Sequence, residues 1–225
     1  MPARRSTFPD NPRGIALLVI DVQYYVAALG EGENAGLDEH TLSPEKRYYF
    51  DRLRQLVLPN IKSLQDALRA QGSEVIFTTV ESLTRDGRDR SLDYKISGIF
   101  VPKGSREARV LVEIAPLEDE IVLPKGSSSV FNSTHIEYLL RNLGITQLIV
   151  VGVLTDQCVI SAVRDACDRG FLVTVPADAC ATYSQDRHDW ALELTKGYCQ
   201  LSSTAEVLEE LRTVAAAAAP STRPG

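Results

Sequence analysis

Apolar residues fall along this chain in short solid runs separated by stretches with helical spacing. Residues 15–20 form an uninterrupted run that stops at Asp21, and residues 74–80 form a second, rich in β-branched side chains. A third run, 121–123, ends at Pro124-Lys125; a fourth covers 148–153, a fifth 171–175, and a weaker sixth lies near 198–201. Runs of this length that are apolar on both alternating sets of positions predict strands buried on both faces. Between them Leu53, Leu56, Val57, Ile61, Leu64 and Leu68 recur every three or four residues, with Pro59 either kinking or starting that helix. Ser133 or Thr134 caps a helix carrying Ile136, Leu139, Leu140 and Leu143, which Gly144 ends, and Val159, Val163 and Ala166 mark a third helical face. Strands alternating with helices predict an α/β protein: a three-layer α/β/α sandwich around a mostly parallel, doubly wound (Rossmann-like) sheet of about six strands.

With 225 residues and 44% apolar content the chain can build one sizeable core. The expected division is an N-terminal arm at 1–13, one domain over 14–214, and a flexible tail at 215–225, where an alanine run passes into Pro, Ser, Thr and Arg. A formal net charge of -6 argues against nucleic acid as a partner. No stretch approaches the roughly 18 apolar residues of a membrane span. Arg4 and Arg5 are followed by polar residues rather than a signal-peptide core, so a cytoplasmic protein is expected. Cys158, Cys167, Cys180 and Cys199 form no C-x-x-C pair and no metal-like spacing, and read as reduced thiols.

The run 148–153 leads through Leu154-Thr155-Asp156-Gln157 into Cys158 and a helix-like stretch, 159–169. A helix N-terminus favours a thiolate through its unpaired N–H groups and dipole, although a lone cysteine is more often a packed core thiol. Ligands of open parallel sheets bind beyond the carboxyl ends of the strands. Asp21, Lys125 and Cys158 all stand at such ends. Singly, each has a bland reading as turn cap, surface lysine or core thiol; together they describe a carboxylate, an ammonium and a thiol in one pocket. None of His40, His135 and His188 ends an apolar strand, so Asp21 is the better base and Lys125 the cation that assists thiol ionisation.

Three segments carry a family resemblance: residues 17–23 ending in Asp21-Val22-Gln23; Leu123-Pro124-Lys125 with Ser129, Phe131 and Thr134 downstream; and residues 152–159 containing Cys158. In order and spacing they resemble the signature segments of the isochorismatase-like cysteine hydrolases, which include nicotinamidases, carbamoylsarcosine and ureidoacrylate amidohydrolases, biuret hydrolases and isochorismatases. The resemblance implies a catalytic triad of Asp21, Lys125 and Cys158, and a cis peptide between Val153 and Leu154 that aims the Leu154 N–H into the site. On that reading the thiolate attacks a carbonyl, the backbone N–H groups of Leu154 and Cys158 hold the oxyanion, and a thioester is hydrolysed with Asp21 as acid and then base. The expected activity is hydrolysis of an amide, carbamoyl or ureido C–N bond in a small molecule. The alternatives are vinyl ether hydrolysis of the isochorismatase type, which needs no cysteine, and an idle binding or scaffold member of the fold.

Substrate contacts are thinner in the sequence. Gln23 is either a hydrogen-bond partner for a substrate amide or an ordinary loop residue, and Tyr24 and Tyr25 are either an aromatic wall or core. Residues 81–98 carry Arg85, Arg88, Arg90 and Tyr94; this is either a solvated charged face or the source of an arginine for a substrate carboxylate. Phe131 is the expected apolar contact. Nicotinamidases of the family use an aspartate and two histidines after the second strand, whereas 81–103 here contains no histidine, so no metal and no organic cofactor are expected. His188 reads as a solvent-facing or hydrogen-bonded helix residue. Residues 28–43 look like a loop able to cover the pocket. Association into a homo-oligomer is implied by the resemblance alone.

Overall fold

The computed structural model describes residues 8, 9 and 11–218. Its centre is a parallel sheet of β1 (Ile15–Ile20), β2 (Glu74–Val80), β3 (Ile121–Lys125), β4 (Gln147–Val153), β5 (Leu172–Pro176), β6 (Cys180–Ala181) and β7 (Gln200–Ser202), in the order β3-β2-β1-β4-β5-β7 with β6 added beside β4. The seven strands exceed the expected six because β6 has only two residues, too few for any periodicity to show.

Alternation along β1 explains the layers. Ile15, Leu17 and Val19 join one buried cluster and Ala16, Leu18 and Ile20 the other, so both faces of the strand must be covered. Short α1 (Tyr24–Ala27) follows β1, and one face is then covered by α2 (Pro44–Arg52), α3 (Leu58–Ala70) and, at the chain's end, a further helix, Thr204–Ala218. A π-helical turn, Leu53–Val57, joins α2 to α3, with the Leu58 N–H bonding Leu53 O just ahead of Pro59. The widened turn thus accommodates the proline, and the chain continues as one rod. After α4 (Leu92–Ile96), the opposite face takes α5 (Val130–Ser133), α6 (Ile136–Asn142), α7 (Ile160–Asp168) and α8 (Gln185–Thr195). Thr134 Oγ1 accepts from Ile136 N at 3.1 Å, the cap expected for α6, and Gly144 at φ +72° follows that helix.

Phe8, assigned to the arm, is buried in the same cluster as β1, and Pro12–Gly14 forms a 3-10 turn leading into that strand. The last helix, numbered α9, continues to Ala218 and takes in 215–218; residues 1–7, 10 and 219–225 lie outside the described residues. Among the described residues no helix is long and apolar enough to cross a membrane.

Candidate active site

The chain runs from β1 to β2 to β3 on one side and resumes at β4 on the other, so the strand order reverses between β1 and β4. A crevice for ligands opens at the carboxyl end of such a switch point. The register aligns Ile20 with both Thr78 and Gly152, and Val80 with Lys125, which brings Asp21, Lys125 and the turn after β4 to one edge. Gly152 makes this possible. Its φ is +114°, and a Cβ there would lie 2.2 Å from Ile20 O, so only glycine allows β4 to approach β1 this closely.

Asp21 has φ 55°, a left-handed conformation that aspartate tolerates, and its N–H still bonds Thr78 O at 3.1 Å. Its Oδ1 accepts from Thr78 Oγ1 at 2.7 Å, while Oδ2 lies 2.8 Å from Lys125 Nζ without an aligned hydrogen bond. Lys125 Nζ is also 2.9 Å from Ser127 O, 3.1 Å from Tyr94 Oη and 3.4 Å from Cys158 Sγ. All four side chains are buried, Lys125 to 1% exposure. Burial opposes the ammonium charge, but Asp21, Cys158 and Tyr94 together outweigh it and raise the Lys125 pKa.

Cys158 lies within a π-helical turn, Thr155–Val159, that precedes α7, and the peptide bond Val153-Leu154 is cis. Burial pushes the Cys158 thiol up to about 11, with Lys125 pulling it down and Asp21 pushing it further up. The direction is opposite to the pull expected of a helix end alone. Desolvation of the sulfur favours its neutral form.

The isochorismatase-domain family model matches residues 15–208. The chain belongs to the isochorismatase family. It is 30% identical to N-carbamoylsarcosine amidase of an Arthrobacter species over 70% of this chain and 62% of that protein. It is 26% identical to isochorismatase of Bacillus subtilis (strain 168) over 96% of this chain and 64% of that protein. The chain thus spans less than two thirds of the length of these two relatives. In fold it is similar to a cysteine hydrolase from Pseudomonas syringae pv. phaseolicola 1448A, with a TM-score of 0.78, 21% identity, and coverage of 95% of this chain and 99% of that one.

In this isochorismatase-family chain the substrate-contact candidates separate. Tyr94 is 3% exposed, with its hydroxyl between Lys125 and Cys158, closer to the chemistry than expected. Tyr25 is half-buried and packs with Val80, Tyr94, Val101 and Ala108 beside the site. Gln23 corrects its reading: it is fully buried, its Oε1 accepts from Val80 N at 2.6 Å, and its Nε2 donates to Val80 O and Glu107 O, both at 3.0 Å. Both amide donors are spent on backbone, so Gln23 ties strand end to loop. Phe131 is likewise a core residue, buried against Phe171 at 6.1 Å. Arg85 and Arg88 are exposed, and Arg90 braces its own loop through Gly87 O at 2.8 Å and Ile99 O at 2.6 Å.

Residues 28–43 are pinned rather than loose. Glu31 pairs with Arg106 at 2.7 Å, Glu33 with Lys46 at 3.0 Å and Tyr183 at 2.8 Å, and buried Asn34 donates to Val26 O at 3.1 Å.

His188 belongs to a feature the sequence reading missed. It is 2% exposed; Nε2 meets Arg52 Nη2 at 3.0 Å and Nδ1 meets Thr155 Oγ1 at 2.9 Å. A guanidinium only donates, so Nε2 accepts, and Nδ1 carries the hydrogen donated to Thr155. Burial, reinforced by the Arg52 charge, pushes His188 down to about 4. The next residue of the turn, Asp156, takes Thr182 Oγ1 at 2.5 Å and Arg187 Nε at 2.7 Å. The Arg187-His188 dipeptide therefore holds both Asp156 and Thr155. Among the described residues no group of three His, Cys, Asp or Glu side chains is placed to hold a metal ion.

Proposed function

We propose that the chain is a cysteine-dependent amidohydrolase that cleaves the amide, carbamoyl or ureido C–N bond of a small molecule. One observation carries the reading: Cys158 Sγ, Lys125 Nζ and Asp21 Oδ2 form a continuous buried chain, with steps of 3.4 and 2.8 Å, at the switch-point edge of the sheet. The sulfur proton passes to Asp21 Oδ2 as sulfur bonds the substrate carbonyl carbon. The carbonyl oxygen takes the electron pair and is held by the Leu154 and Cys158 N–H groups. One such donor lowers the barrier by about 3 kcal/mol. Asp21 returns the proton to the departing nitrogen, leaving a thioester on Cys158. It then removes a proton from water as the hydroxide adds to the thioester carbon, and the thiol is regenerated as the carboxylate or carbamate leaves. Family membership and the likeness to N-carbamoylsarcosine amidase support the C–N bond as target.

The test is a panel of small primary amides, carbamoyl and ureido acids, and isochorismate. Ammonia release together with an acyl adduct on Cys158 by intact mass is the expected result, and Cys158→Ala should abolish it. Asp21→Asn should lower turnover nearly as far. Pyruvate release from isochorismate without an adduct, unaffected by Cys158→Ala, would replace this reading with vinyl ether hydrolysis. Silence across the panel, with Cys158 inert to small electrophiles, would leave the binding-scaffold reading.

A further inference from the structure

Four acceptors crowd the Lys125 ammonium: Asp21 Oδ2 at 2.8 Å, Ser127 O at 2.9 Å, Tyr94 Oη at 3.1 Å and Cys158 Sγ at 3.4 Å. An ammonium has three hydrogens. Its three hydrogen bonds go to Ser127 O, Tyr94 Oη and Cys158 Sγ, and the one to sulfur is the longest. Tyr94 Oη stands 3.9 Å from that sulfur, within hydrogen-bond reach for so large an atom. Among the described residues, Lys125 and Cys158 are the hydrogen-bond partners of the Tyr94 hydroxyl. Lys125 only donates, so the phenol oxygen accepts from the ammonium and its own hydrogen points to sulfur.

The short helix α4 is built around this contact. Tyr94 is its buried residue, while Leu92 and Ile96 are 73% and 77% exposed, the reverse of ordinary amphipathic packing. Ser91 Oγ accepts from Tyr94 N at 3.2 Å, and Ser91 N bonds Gly126 O at 2.8 Å, tying the helix start to the strand end that carries Lys125. Arg90 closes the segment through Gly87 O and Ile99 O and stacks over Phe100 at 4.7 Å.

We propose that Tyr94 is a catalytic residue: its hydroxyl donates a hydrogen bond to the Cys158 thiolate while accepting one from Lys125, so that the site is a tetrad. No proton leaves the phenol. The thiol proton goes to Asp21, and Tyr94 and Lys125 stabilise the charge left on sulfur. A donor already polarised by an ammonium is a stronger donor. The proposal rests on Cys158 as nucleophile and adds the group that makes its ionisation accessible.

The test reads the thiolate directly and needs no substrate. Alkylation of Cys158 by iodoacetamide, in which the thiolate displaces iodide, is followed between pH 6 and 10.5 by mass spectrometry of the Cys158 peptide, in wild type and Tyr94→Phe. The groups facing the sulfur are Asp21 from β1, Lys125 from β3 and Tyr94 from α4, while α8 presents His188 and Arg187 to the adjoining Thr155 and Asp156. Loss of the hydroxyl should slow alkylation at pH 7 about tenfold and move the profile to higher pH, since a hydrogen bond to a charged group is worth about one such factor or more. A role in packing alone would leave the profile in place. Equal or faster alkylation of Tyr94→Phe across the range overturns the proposal and leaves the cysteine mechanism standing. A wild-type Cys158 that stays inert while the protein is folded overturns both. Tyr94→Met, which also lacks the hydroxyl, gives the same reading should the phenylalanine variant fail to fold.

Discussion

Lys125 and Asp21 form an ion pair out of reach of water, and such a pair is most visible when one half is removed. Lys125→Met leaves the Asp21 carboxylate without its partner, and Asp21→Asn does the same to the ammonium. Each single substitution should destabilise the fold by about 3–5 kcal/mol in urea unfolding, while the double variant should recover part of that loss. A loss below about 1 kcal/mol for both singles would show that the pair does not hold the site together. These two residues and Cys158 were visible in the sequence because each interrupts or closely follows an apolar run. Tyr94 was visible only as a member of a charge-rich segment, since nothing in Ser91-Leu92-Asp93-Tyr94 says that the aromatic residue points inward and the leucine outward. His188 was hidden for a different reason: its partners Arg52 and Thr155 lie far away in sequence, and only the packing of α8 on the turn brings them together.

Among the elements, the strands were legible because residues buried on both faces leave no polar phase. The two π-helical turns were not, since a widened turn changes hydrogen bonding without changing the apolar pattern. The close approach at Gly152 separates a required glycine from a convenient one. Gly152→Ala places a methyl group 2.2 Å from Ile20 O, so the strands must part; the expected outcome is a loss of more than about 3 kcal/mol or failure to fold. Gly144→Ala, at φ +72° but with open space around it, should lose only about 1 kcal/mol. Equal losses at the two positions in urea unfolding would refute the steric argument. The loop 28–43 gives a comparable contrast. Asn34→Ala frees the buried carbonyl of Val26 and the half-buried one of Ala28 and should lower stability by about 1–3 kcal/mol. Glu31→Gln breaks only an exposed pair and should change stability by less than about 1 kcal/mol.

At the scale of the whole molecule, acid sensitivity has an identifiable contributor. His188 is held near 4 in the folded state and returns to about 6.5 on unfolding. The unfolded chain therefore binds a proton that the folded chain refuses. This contribution is neutral above pH 6.5, and stability falls as pH drops through the window from 6.5 to 4. Between pH 7 and 5 the loss from this one group is about 2 kcal/mol. Comparing urea midpoints of wild type and His188→Asn at the two pH values checks it: the variant, whose amide can still donate to Thr155, should lose distinctly less on acidification. An identical loss in both would assign the effect elsewhere.

The two-residue strand β6 has a consequence for the order of events during synthesis. β4 pairs with β5 only at residues 147–149, and at 152–153 its neighbour is β6, so the sheet forks and the fork is filled by chain from beyond residue 176. The turn carrying Cys158 is then held by Thr182, Arg187 and His188. A nascent chain released from the ribosome tunnel as far as residue 170 already contains Asp21, Lys125, Tyr94 and Cys158, yet lacks the three later side chains that brace the turn. The sulfur and its neighbours are in hand before the turn is fully braced, and the chain beyond residue 176 completes the brace.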